Sequence, residues 1–147
     1  MSLKWVKYPY SPQWSPDGLA YRPALDVEVS NGSKLRIIFA LVDSGTDSMV
    51  LDASLASSLG IDPDTCEKRL LSGIGGNSQG FMAEIEVKVK GFTEKIKARA
   101  LFLQNAPFTA LLGQRDFFDN FYIRFEHRKR FFLLAKAPKQ KAVKQAT

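Results

Sequence analysis

The sequence is poor in the residues from which several common sites are built. It has one cysteine and one histidine in 147 residues. Cys66 has no partner within the chain, which excludes an internal disulfide framework and a cysteine-rich zinc site. His127 cannot form a multi-histidine metal site. It would have to serve any Ser-His-Asp or Cys-His mechanism, yet it lies in "EHRKR" (126–130), a basic cluster between two apolar runs that reads as a solvated turn. No window approaches the roughly eighteen continuous apolar residues of a membrane span. The start, "MSLKWVKYPY", has no basic opening followed by a long apolar stretch, so no secretory signal is expected and the cytoplasm is the expected compartment. No internal repeat occurs, and the length suits one domain.

Apolar residues make up 45% and charged residues 24%, an ordinary globular balance. The net charge of +6 raises the question of a nucleic-acid partner. The last twelve residues, "KAPKQKAVKQAT", hold four lysines and no acid, and without them 17 basic face 15 acidic residues. The excess is mostly a tail with little to bury, so residues 136–147 are expected to be disordered and solvated, with neither nucleic acid nor membrane as partner.

Three regions follow from the patterning. Residues 1–23 mix Trp5, Tyr8, Tyr10, Trp14 and Tyr21 with Pro9, Pro12 and Pro16. Prolines at that density prevent helix, which predicts an extended arm whose aromatics need a surface to cover. Residues 24–135 read as an all-β domain with one or two short helices. In it "ALDVEV", "SNGS" and "KLRIIFALV" predict a hairpin that delivers Asp43 at its end. Asp52 is placed to cap a short helix bearing Leu55 and Leu59, which Gly60 ends. From Phe81 to Val89 and again in "KIKARA" apolar and polar residues alternate with the period of a half-buried strand. Ahead of them "SGIGGNSQG" holds four glycines in nine residues. It does not read as a phosphate loop, because a strand rather than a helix follows it. "FTALLGQRDFFDNF" predicts a buried strand, a glycine and a short helix, and "FYIRF" and "RFFLL" a closing hairpin.

Asp43 is the residue that calls for a function. In "ALVDSGTDSMVL" (40–51) a carboxylate leaves what reads as a buried strand, and such a group is costly unless it is hydrogen-bonded, paired or in use. Ser44 offers a hydroxyl and Gly45 allows close approach to the main chain, the requirements of a held carboxylate facing a cleft.

Three features in order resemble the retropepsin-type aspartic proteases, the single-domain class of retroviral proteases and related bacterial proteins. They are Asp43-Ser44-Gly45-Thr46 after two small hydrophobic residues, the glycine-rich "GIGG" (73–76), and "ALLGQRDFF" (110–118). The resemblance covers about residues 24–120. It implies a single-lobe acid-protease β barrel completed as a two-fold homodimer, because no second Asp-Thr/Ser-Gly occurs. Two Asp43 carboxylates about 3 Å apart would share one proton. One would take a proton from a water that attacks a peptide carbonyl while the other donates to the carbonyl oxygen, with neither metal nor cofactor.

The same resemblance gives Ser44 a bond across the dimer axis and Gly45 a carbonyl for the substrate backbone. Asp47 is a substrate main-chain contact or a plain turn acid. Gly73, Ile74, Gly75 and Gly76 become a flap over a peptide bound as an added strand, or else an ordinary hairpin turn. Arg115 stands one position later after Gly113 than the family's glycine-arginine pair. The rival reading is a catalytically inactive dimeric module of the same fold that binds extended peptides or a protein partner.

Overall fold

The computed structural model of the protein describes residues 2–73 and 76–139. Alternation of apolar and polar residues becomes strand wherever it is sustained. Strands β4 (Ala24–Asn31) and β5 (Lys34–Val42) form the expected hairpin, registered from Ala24↔Leu41 to Asn31↔Lys34. Strand β5 is exposed over Lys34–Ile37 and buried at Ile38, Ala40 and Val42, so it enters the core as it nears Asp43. Strand β8 (Gly76–Val89) pairs antiparallel with β7 (Glu67–Gly73) through its first half and with β9 (Lys95–Leu103) from Gly80 to Lys88.

Two short strands complete the sheet. Strand β10 (Ala110–Leu112) lies parallel to β5 and antiparallel to β6 (Val50–Asp52), and β6 in turn lies parallel to β9. The order is therefore β4-β5-β10-β6-β9-β8-β7, and a further pairing of β4 with β8, Val27↔Val89 to Ser30↔Glu86, closes it on itself. Among the described residues closure leaves β7 as the sheet's one open edge and lets one face of the barrel strands fill the interior. Val27, Val29, Leu51, Val87, Val89, Phe102 and Leu112 are all at most 2% exposed there. Each such side chain stabilises the fold by about 1.5–3 kcal/mol relative to exposure.

The N-terminal arm is built into the same chain. Strand β1 (Trp5–Pro9) pairs antiparallel with β12 (Phe131–Lys136), which pairs with β11 (Phe121–Glu126), giving a three-stranded sheet. The aromatics find their surface: Tyr8 stacks on Phe132 with centroids 5.2 Å apart, and both Tyr8 and Tyr10 are buried. Strands β2 (Ser11–Ser15) and β3 (Gly18–Arg22) form a separate hairpin that leaves Trp14 exposed. "EHRKR" is an exposed turn as read, with His127–Lys129 in a single 3-10 turn. Lys136 ends β12, and residues 140–147 of the lysine-rich tail lie outside the described residues.

Where short helices were expected, the described residues hold five three-residue 3-10 turns. Asp52 caps the first, its carboxylate accepting from the Ser54 N–H at 3.3 Å, and Gly60 ends the second at φ 67°. Segments this short close too few hydrogen bonds to offset helix nucleation, so they tighten into single turns. The glycine-rich stretch is drawn into a hairpin. Its arms stay in register to Gly73↔Gly76, with Ser72 Oγ 3.2 Å from Asn77 Oδ1 across the hairpin.

Candidate active site

The Asp43 carboxylate is positioned by main chain on both sides of it. Val42 is the last residue of β5, and Leu112, its parallel neighbour in β10, accepts the Asp43 N–H through its carbonyl at 3.0 Å. The chain then turns within three residues. The Gly45 N–H donates to Asp43 Oδ1 at 2.9 Å, and Thr46 Oγ1 donates to Asp43 Oδ2 at 2.8 Å. Each carboxylate oxygen thus has one fixed donor and a remaining lone pair. The half-buried group is oriented, yet it can still accept from a water or a substrate.

Glycine at position 45 has a steric cause. A Cβ there would stand 3.2 Å from Asp43 Oδ1, tight enough that the carboxylate would have to give by a few tenths of an ångström.

A second segment locks the loop from below. After β10 the chain runs alongside residues 46–48: the Gln114 N–H donates to the Thr46 carbonyl and the Arg115 N–H to the Asp47 carbonyl, both at 2.8 Å. The Gln114 side chain donates through Nε2 to the Ser44 carbonyl at 2.8 Å. So close an approach needs a residue without a side chain. A Cβ on Gly113 would lie 2.3 Å from the Ser48 carbonyl oxygen and 2.4 Å from that of Thr46, contacts that backbone cannot relieve. Gly113 in turn accepts the Phe118 N–H at 3.2 Å, and Phe117, fully buried, anchors the turn that leads into β11.

The residues singled out in the sequence divide accordingly. Asp43, Gly45 and Thr46 form one hydrogen-bonded unit. Ser44 is exposed on it, bonded through its carbonyl to Gln114. Asp47 is exposed beside it and meets Arg115 through main chain alone; among the described residues no ion pair involves Asp43, Asp47 or Arg115. Gly73 and Gly76 end the arms of the β7–β8 hairpin, and Ile74 and Gly75 lie outside the described residues.

Gln114 is a residue that sequence reasoning missed. Its role depends on two loops meeting, and the only hint in the chain is its place directly after the glycine of "ALLG". Among the described residues no three His, Cys, Asp or Glu side chains gather as a metal site would require, and no helix is long and apolar enough to cross a membrane. Two concavities of about 420 and 410 Å³ lie elsewhere, one lined by Ser30, Glu84 and Arg99 and the other by Asp26, Ile37 and Phe92, and neither reaches Asp43.

Comparison with known proteins agrees with this geometry. The sequence profile of the family described as "Aspartyl protease" matches residues 25–115. A retropepsin-like aspartic protease from Rickettsia conorii superposes with a TM-score of 0.58 at 16% identity, covering 90% of this chain and 99% of that one. The EIAV protease complexed with the inhibitor HBY-793 aligns at 28% identity over 63% of this chain and 82% of that one, with a TM-score of 0.48. The Simian Foamy Virus (mac) protease aligns at 23% identity over 63% and 89%, with a TM-score of 0.44. No protein of curated function matches the sequence. The profile spans more than half of the chain and takes in both the Asp43 loop and Gly113, and the chain therefore belongs to the aspartyl protease family, with the retropepsin-like fold.

Proposed function

We propose that the protein is an aspartic endopeptidase whose active centre forms from Asp43 of two identical chains. The observation that carries this reading is the Asp43 carboxylate, held by one donor on each oxygen at the end of β5 and locked from below by Gly113 and Gln114. One chain supplies one such carboxylate and leaves it outside the larger concavities. A second copy on a two-fold axis supplies the other carboxylate and the facing wall.

The chemistry then needs only what the chains themselves hold. Two carboxylates about 3 Å apart share one proton, because both cannot be charged at that distance. The ionised Asp43 takes a proton from a water lying between the two oxygens as that water attacks the peptide carbonyl. The protonated Asp43 gives its proton to the carbonyl oxygen, and a tetrahedral diol results. Its collapse returns a proton to the leaving amine. Gly45 N–H and Thr46 Oγ1 keep the carboxylate planes aligned through both steps, and Ser44 faces its symmetry mate across the axis. Asp47 and the hairpin tip of Gly73, Ile74, Gly75 and Gly76 hold the main chain of a peptide bound in extended form. The reading includes no metal or cofactor, and it places the enzyme in the cytoplasm.

Asp43→Asn tests it. Incubated with a diverse peptide library near pH 5–7, the parent chain should cleave, a statine-type transition-state mimic should inhibit, and D43N should lose turnover while keeping its oligomeric state. Cleavage by D43N at the parent rate would refute the mechanism. Binding of peptides without cleavage by the parent dimer would identify the protein as a non-catalytic peptide-binding module of the same fold.

A further inference from the structure

The proposed function brings two chains together at their Asp43 loops and leaves open which other surface joins them. Strand β4 starts opposite the end of β5, with Ala24↔Leu41, and runs away from Asp43. The chain that precedes β4 therefore enters the barrel at the Asp43 end. There the Pro23 carbonyl accepts the Val42 N–H at 2.8 Å, one residue before the carboxylate. Through that bond the Pro23 and Asp43 Cα atoms stand no more than about 10 Å apart. The segment rooted at Pro23 is the β2–β3 hairpin, whose second strand ends at Arg22. A second copy placed across a two-fold axis at Asp43 thus lies close to the root of this hairpin.

The hairpin is turned inside out. Its register sets Pro12 opposite Tyr21 and Trp14 opposite Leu19, and Ser11 opposite Arg22 and Gln13 opposite Ala20. One face is therefore apolar and aromatic and the other mostly polar. Apart from Arg22 the mostly polar face is the better covered, with Ser11, Gln13, Ser15 and Ala20 all partly buried. On the apolar face Pro12 and Leu19 are exposed, and Trp14 is 83% exposed. Near the root the Arg130 guanidinium covers Tyr21, 3.7 Å from its ring centre, whereas toward the tip Trp14 and Leu19 lie open. The apolar surface continues past the hairpin. Pro12 and Phe39 line one concavity, and the exposed Phe39 leads to the exposed Ile37 along the outer face of β5. A contiguous apolar patch of this kind marks a surface that something else covers.

Stability argues for a lasting occupant. Two antiparallel strands standing alone are marginal in water, and among the described residues no third strand flanks β2 or β3. A peptide substrate would cover Trp14 only while bound. The second chain of the Asp43 site is a permanent neighbour, and a two-fold axis presents the same patch from both copies.

We infer that the apolar face of the β2–β3 hairpin, centred on the Trp14–Leu19 pair, docks on the second copy of the chain and forms part of the homodimer interface. The inference rests on the two-chain reading of the Asp43 site and adds the surface that holds the copies together. Burial of Trp14 and pairing of the two Asp43 loops become one event.

Trp14 reports on its own burial. In the full chain carrying Trp5→Phe it is the sole tryptophan. Its emission should move to shorter wavelength, and acrylamide should quench it less, over the concentrations at which sedimentation shows monomer becoming dimer. Trp14→Ser combined with Leu19→Ser changes two exposed positions, so the dilute monomer should keep the parent's far-ultraviolet circular dichroism. Self-association should weaken about a hundredfold, because each dimer loses its aromatic anchor twice. A parent dimer in which Trp14 keeps its monomer emission, or whose affinity the double variant matches, would overturn the hairpin interface while the two-chain active site stands. A parent chain that remains a monomer at every concentration would overturn both.

Discussion

Thr46 carries more of the site than its place behind the Asp-Ser-Gly triplet suggests. Its hydroxyl is the sole side-chain donor to Asp43 Oδ2 among the described residues, at 2.8 Å. Thr46→Val keeps the shape and removes the donor. A hydrogen bond to a charged group contributes about 1.5–3 kcal/mol, so kcat/KM should fall roughly ten- to a hundredfold, with Thr46→Ser restoring most of it and thermal unfolding little changed in either variant.

Tyr8 makes a prediction far from the site. Burial pushes its hydroxyl up to about 12, and it donates to the Lys90 carbonyl. A folded value above the free value of 10 means that ionisation opposes folding. The contribution of Tyr8 is complete below pH 10 and is lost as pH rises through about 12. Urea midpoints at about pH 9 and pH 11 should therefore drop further in the parent than in Tyr8→Phe. An equal drop in both would show that the Tyr8 hydroxyl carries none of the alkaline loss. Asp43 was legible in the sequence because a carboxylate ending an apolar run has few inexpensive explanations. Gln114 was not, since nothing local distinguishes a glutamine that reaches another loop from one that faces water.

The segment Gly113–Asn120 shows how packing decides which residue an element can carry. With the Ser48 and Thr46 carbonyls at 2.3 and 2.4 Å from a Cβ at position 113, Gly113→Ala must push the 46–48 loop and the chain after β10 apart. We expect about 1–3 kcal/mol of destabilisation, read as a lower urea midpoint, and activity lost beyond what the unfolded fraction explains. An alanine variant of parent stability would show that the two segments are not locked.

Strands were readable wherever the period of two was sustained, as from Phe81 to Val89. The expected helices were less so. Asp52 and Gly60 mark the ends as predicted, but three-residue runs between them form 3-10 turns. The aromatic arm was legible only as extended, because its partner, Phe131–Lys136, lies at the other end of the described chain and no local pattern announces so distant a pairing. Arg115 shows the same limit: its N–H donates to the Asp47 carbonyl, a main-chain contact between two loops that its offset from Gly113 did not announce.

The described residues form a closed barrel, a three-stranded sheet and a two-stranded hairpin, and the chain carries a single Asp-Ser-Gly loop. The family and the fold follow from the chain alone, whereas the proposed chemistry depends on a second copy of it. That dependence has a quantitative signature. When parent and D43N chains are mixed and re-equilibrated at constant total concentration, peptidase activity should fall as the square of the parent fraction, reaching about a quarter in an equal mixture, because only parent–parent dimers hold two carboxyl groups. Activity that falls linearly, reaching about half in the equal mixture, would mean that each chain hydrolyses peptides by itself and would contradict the paired Asp43 site.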